Sequence, residues 1–145
     1  MRYEYYNPNP KLRHKKDGTP MGWHVGDCST RALSKALDLG WLEVFKLQCE
    51  EATKRCVETN SLKVCDAILT ANGFTKGKIS QEWIKRHHRR PTVEMVAEWA
   101  KDNLGYKKLV FECNSRAHLT AVENNTLYDV WDCSDTVAWK FWYKV

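Results

Sequence analysis

The chain has 145 residues, 43% of them hydrophobic and 28% charged, the balance of one ordinary globular domain long enough to build a core without metal or disulfide support. No run approaches the ~20 apolar residues of a membrane span, and the start Met1-Arg2-Tyr3-Glu4-Tyr5-Tyr6 lacks a signal peptide's apolar stretch, so a cytoplasmic protein without a membrane partner is expected. Twenty-three Lys and Arg against 18 Asp and Glu leave +5, too mild an excess to argue for nucleic acid as a partner.

Residues 1–26 hold Asn7-Pro8-Asn9-Pro10, Asp17-Gly18 and Thr19-Pro20, with a basic run at 11–16 and no helical period, and read as an irregular arm. From Ser29 the pattern changes. Ala32, Leu33, Ala36 and Leu37 fall on one helical face and Gly40 stands where a C-terminal cap belongs, so a helix begins at or next to Cys28. A second helix is expected over 41–57, with Leu42, Phe45, Cys49, Ala52 and Cys56 as its inward stripe, and a third runs from a Ser61 cap to Asn72-Gly73. In this reading Cys49, Cys56 and Cys65 are small core residues.

Residues 74–90 have no clean period, and the basic cluster at 85–90 reads as a solvated face or loop. Pro91-Thr92 opens a helix lined by Val93, Val96, Ala97 and Ala100 and closed by Asn103-Leu104-Gly105. Beyond it the period becomes two, giving strands over 107–113, 118–122, 126–131 and 137–145. The expected architecture is α+β in one domain, 1–145: the arm to residue 26, helices over 27–103 and antiparallel strands over 104–145.

Asn124-Asn125 tolerates the positive φ of a tight hairpin. With those residues as the turn, Val122 faces Leu127 and His118 faces Trp131, so Asp132 comes beside the start of the histidine's strand, and Asp129 is a diagonal neighbour on the same face. Cys28 sits in Gly26-Asp27-Cys28-Ser29-Thr30-Arg31-Ala32, where the N–H groups of a helix start stabilise a thiolate and can also receive an oxyanion. His118 could take the thiol's proton while Asp132 or Asp129 holds the imidazole. Arg31 is expected to pair with an acidic neighbour and Trp131 to shield the histidine from water. The six cysteines include no Cys-x-x-Cys pair and read as thiols, with no metal expected.

The order Cys on the first helix, His on a strand, Asp at the end of the next resembles the papain-like cysteine peptidase superfamily. The strings Asn7-Pro8-Asn9-Pro10, Gly26-Asp27-Cys28, His118-Leu119-Thr120-Ala121-Val122 and Tyr128-Asp129-Val130-Trp131-Asp132 are similar to those of small papain-like proteins of bacteriophages and gut-type bacteria, over nearly the whole chain. The resemblance implies Cys28 as nucleophile, His118 as general base and then acid, and Asp132 as the orienting carboxylate, with Asp129 its rival. Papain-like peptidases carry a Gln six residues before the nucleophile. Here that residue is Gly22, so a second oxyanion donor has to come from Asn9, Asn7 or His24.

The activity implied is that of a hydrolase, a cysteine protease cleaving an amide or isopeptide bond of a peptide or protein through an acyl-enzyme, with no cofactor. Two alternatives stand beside it. One is acyl transfer by the same triad, as in transglutaminases; the other is a non-catalytic phage binding protein that uses the basic arm and residues 86–90 to hold a host partner. The motifs specify fold and triad, not substrate or oligomeric state.

Overall fold

The computed structural model describes residues 1–11 and 26–145. The arm expected to be irregular opens with a strand, β1 (Arg2–Tyr5). Then follow α1 (Cys28–Leu37), α2 (Trp41–Arg55), α3 (Leu62–Ala71), β2 (Thr75–Lys76), α4 (Gln81–His87), α5 (Val93–Leu104), β3 (Lys108–Cys113), β4 (His118–Glu123), β5 (Thr126–Asp129) and β6 (Ala138–Lys144). The α+β expectation agrees with this order. Among the described residues no helix is long and apolar enough to cross a membrane.

The six strands form one sheet in the order β1-β5-β4-β3-β6-β2, and only β1 runs parallel to its neighbour. Alternation along the strands divides the core into two clusters. Val110, Leu119, Ala121 and Trp142 pack with α1, α2 and α3, whereas Leu109, Phe111, Val122, Leu127 and Phe141 pack with α5. The turn between β4 and β5 is Asn124-Asn125, both at positive φ, and Val122 pairs with Leu127 as the alternation requires.

Three local differences have physical causes. Helix α1 ends at Asp38, which takes the left-handed conformation that a short polar side chain tolerates, and Gly40 instead opens α2. The 74–90 segment contains β2 and α4. Ser80 caps α4 by accepting from the Trp83 N–H, and Gly77 lies so close over Phe141 that a Cβ would stand 2.0 Å from its ring.

The inward stripe of α2 is Val44, Gln48 and Ala52; Leu42 is 57% exposed, and Phe45 and Cys56 are exposed as well. Cys65 is buried as expected, while Cys49 is only half-buried. Gln48 defines the face because its amide is fully used: Oε1 accepts from Thr30 Oγ1 at 2.7 Å, and Nε2 donates to Ser29 Oγ at 3.1 Å and Thr59 O at 3.2 Å. This clamp fixes the first turn of α1. Gln48→Ala leaves two buried hydroxyls short of a partner and is expected to cost about 2–4 kcal/mol in urea unfolding. A loss below ~1 kcal/mol would show that the clamp is dispensable.

Candidate active site

Cys28 is the first residue of α1, where the leading N–H groups have no carbonyl within the helix to bind. The preceding Asp27 does not cap them. Its buried carboxylate is turned away to Arg31 Nη1, to Trp41 Nε1 at 2.8 Å and to Asn9 Nδ2 at 3.2 Å, which leaves the helix start open to an anion. The Cys28 thiol sits beside the His118 imidazole and the Leu119 N–H, both of which favour its thiolate, and Cys28 and His118 line one cleft. Helix α1 and the first residues of β4 thus supply thiol and base together.

The carboxylate partner is Asp129. Its Oδ2 is 2.6 Å from His118 Nε2, and it is 2% exposed. Continued by one pair, the hairpin register sets Asp129 across from Thr120, two residues along from His118, a diagonal that the imidazole spans. Asp132, the carboxylate favoured for this place, is exposed and accepts instead from the Ser134 N–H at 3.1 Å. The reason is that β5 stops at Asp129, and the chain then turns before Asp132 could lie along β4. Trp131 does stand by the histidine, with ring centroids 5.3 Å apart.

Four donors converge on Asp129. Oδ2 receives His118 and, at 3.7 Å, the Cys133 thiol; Oδ1 receives the Val130 N–H at 2.7 Å and Arg31 Nη2 at 3.4 Å. Arg31, buried between Asp27 and Asp129, is the acidic pairing expected of it, doubled. One guanidinium therefore ties the residue before Cys28 to the histidine's carboxylate.

Burial alone would raise the Cys28 thiol, but the bonds from His118 and the Leu119 N–H, with the charges of His118 and Arg31, hold it below its ordinary value. For His118 burial alone would lower the imidazole, and its bonds to Asp129, Cys133 and Cys28 outweigh that and push it up to about 11. Burial would raise Asp129; the bond to His118 and its charge keep it low. By linkage, the raised imidazole stabilises the fold below its unfolded value and that contribution is lost as pH rises toward about 11. The depressed carboxylate contributes above its unfolded value, and this is lost as pH falls through the folded one. Thiolate and imidazolium coexist above the lowered Cys28 value and below about 11.

His118, Asp129 and Cys133 offer donor atoms within 4.8 Å of one another, of types that hold transition ions. Their mutual hydrogen bonds already satisfy the carboxylate. The Cys113 and Cys133 thiols are free and fully buried, and their interaction with each other, with burial, pushes Cys133 up so that it keeps its proton for Asp129.

Of the residues considered as oxyanion donors, His24 and the Gly22 position lie outside the described residues. Asn9 spends Nδ2 on Asp27, and its Oδ1 receives the Lys11 N–H at 2.9 Å. Asn7 accepts from the Asn9 N–H at 3.2 Å. Neither lines the cleft of about 620 Å³ onto which Cys28 and His118 open, whose other walls include Asn60, Glu112 and Arg116. Asp27, Trp41 and Cys133 were not singled out from the sequence; the Gly-Asp-Cys string was the available signal for Asp27. No family model, no curated protein and no solved structure matches the chain.

Proposed function

We propose that the chain is a papain-like thiol hydrolase, a cysteine peptidase acting through Cys28, His118 and Asp129. The observation that carries the reading is the meeting of a depressed thiol at a helix start with a carboxylate-held imidazole on one open cleft. In the reaction the Cys28 thiolate attacks an amide carbonyl, and the N–H groups of the first turn of α1 receive the oxyanion. His118 then gives its proton to the departing amine as the C–N bond breaks, leaving an acyl-enzyme. Water, deprotonated by His118, releases the acid and restores the thiol.

Alkylation by iodoacetamide against pH, with mass mapping of all six cysteines, tests the pair. Cys28 is expected to label fast at about pH 6, ahead of Cys56 although Cys56 is exposed. His118→Ala should slow Cys28 at pH 6 by at least about tenfold, after allowing for the greater nucleophilicity of a less acidic thiol. Cys28 and Cys56 rising together would remove the dyad.

A second reading draws on charge. Residues 74–91 hold six Lys and Arg against one Glu, an excess equal to the whole net charge, and they border an apolar hollow of about 510 Å³ walled by Trp83 and Trp99. A non-catalytic binder using that face would form a salt-sensitive complex indifferent to Cys28→Ala.

A further inference from the structure

Glu112 on β3 is buried, at 7% exposure, yet it lines the cleft shared by Cys28 and His118. Its Oε1 has no hydrogen-bond partner, and no ion pair among the described residues includes it. The nearby cations are directed elsewhere. Arg116 holds its guanidinium 4.3 Å from the centre of the Trp139 ring, and Lys140, across from Glu112 on β6, is exposed.

Position ties Glu112 to the reacting thiol. Directly opposite it on β4 is Leu119, whose N–H favours the Cys28 thiolate. Residues paired in this way carry their Cβ atoms about 5 Å apart, and Glu112, Leu119 and Cys28 line the same cleft. A carboxylate withdrawn from water without a partner is costly, and a low-dielectric wall concentrates its field into the cleft. Catalysis by Cys28, His118 and Asp129 makes no use of it.

We propose that Glu112 sets substrate specificity by receiving a cationic group, the ammonium or guanidinium of a lysine or arginine side chain next to the scissile carbonyl. The inference rests on Cys28 being the reacting group of the proposed hydrolase. It gives the unpaired oxygen its partner, and it defines the substrate class as basic peptides or lysine-linked amides. The binding step moves no proton and breaks no covalent bond; a charged hydrogen bond replaces water on both ions.

Three thiosulfonates test this on the full chain: the 2-aminoethyl (cationic), methyl (neutral) and 2-sulfonatoethyl (anionic) methanethiosulfonates. Each forms a disulfide with the Cys28 thiolate and releases methanesulfinate. Rates are taken at about pH 8.5, where an ordinary thiol also reacts, so the charge ratio reports on Glu112 whether or not His118 activates the sulfur. Relative to the same reagents on mercaptoethanol, the cationic reagent is expected to outpace the anionic one at least about tenfold. Glu112→Gln should abolish that ratio, with each charged reagent's rate divided by the neutral reagent's rate on the same variant.

A ratio that survives Glu112→Gln, or a preference for the anion, overturns the proposal. Should the variant not fold, the unaltered protein decides. n-Butylammonium is expected to protect Cys28 from the neutral reagent and butyrate is not; equal effects of the two overturn the proposal. Failure of the catalytic dyad shows separately, as slow labelling at about pH 6 that His118→Ala does not change.

Discussion

Asp129→Ala is expected to slow acylation of Cys28 by p-nitrophenyl acetate on the order of 10²- to 10⁴-fold, whereas Asp132→Ala leaves it within about a factor of two. The difference follows from what each carboxylate touches. Asp129 accepts from His118 Nε2 at 2.6 Å, which turns the other ring nitrogen toward proton exchange with the thiol and keeps the imidazole charged. Without Asp129, burial is left as the main influence on the ring and drives it toward the neutral form, so the thiolate loses its counter-ion.

Asp129→Asn keeps the shape of the carboxylate and removes its charge. The Val130 N–H and Arg31 Nη2 hold the amide oxygen on the Oδ1 side, so its NH2 faces Nε2 and the ring is left in the wrong tautomer. A rate well below wild type and close to that of Asp129→Ala is therefore expected. The pH profile should move in the same order, with the acid side of Cys28 reactivity shifting upward as the imidazole loses its hold on a proton. If Asp132→Ala lost as much activity as Asp129→Ala, the assignment of the carboxylate would fall.

How far this site was legible depended on which of its contacts follow from local pattern. Asn124-Asn125 is a local signal, and the turn it makes at positive φ sets the register that brings Asp129 within reach of His118. The first turn of α1 was legible for the same reason: the small and apolar residues after Cys28 keep one helical face. Choosing between Asp129 and Asp132 required knowing that β5 ends after four residues, and that depends on Cys133 being drawn into the core beyond the turn. Strand register says which residues are opposite, not how far an imidazole reaches along the diagonal.

The same limit explains α2. Leu42, Phe45 and Cys56 have the spacing of a buried stripe, but the true face is chosen by Gln48, whose polarity hides it from any hydrophobic pattern. Asp27 is another such residue. Its partners Asn9, Arg31 and Trp41 come from the arm, α1 and the start of α2, so only the assembled chain shows that it organises the site instead of capping its own helix.

Arg31→Met is expected to destabilise the protein by about 3–5 kcal/mol, because of the two buried carboxylates that share one guanidinium it leaves Asp27, at 6% exposure, without a counter-ion and Asp129, at 2%, with His118 alone. The size reflects the uncompensated charge left behind, since the pair itself is a weak source of stability once desolvation is counted. Arg31→Lys should recover only part of the loss: a single ammonium cannot span both carboxylates with the fork that Nη1 and Nη2 provide. The deficit should also shrink in acid, because protonating Asp129 removes a charge that the variant balances with His118 alone, whereas in wild type that carboxylate is held ionised to low pH. Urea unfolding at neutral pH and again at about pH 4 measures both effects. A deficit below ~1 kcal/mol at neutral pH would mean that water reaches Asp27 and Asp129 and that the bridge does not hold the nucleophile's helix to the histidine's strand.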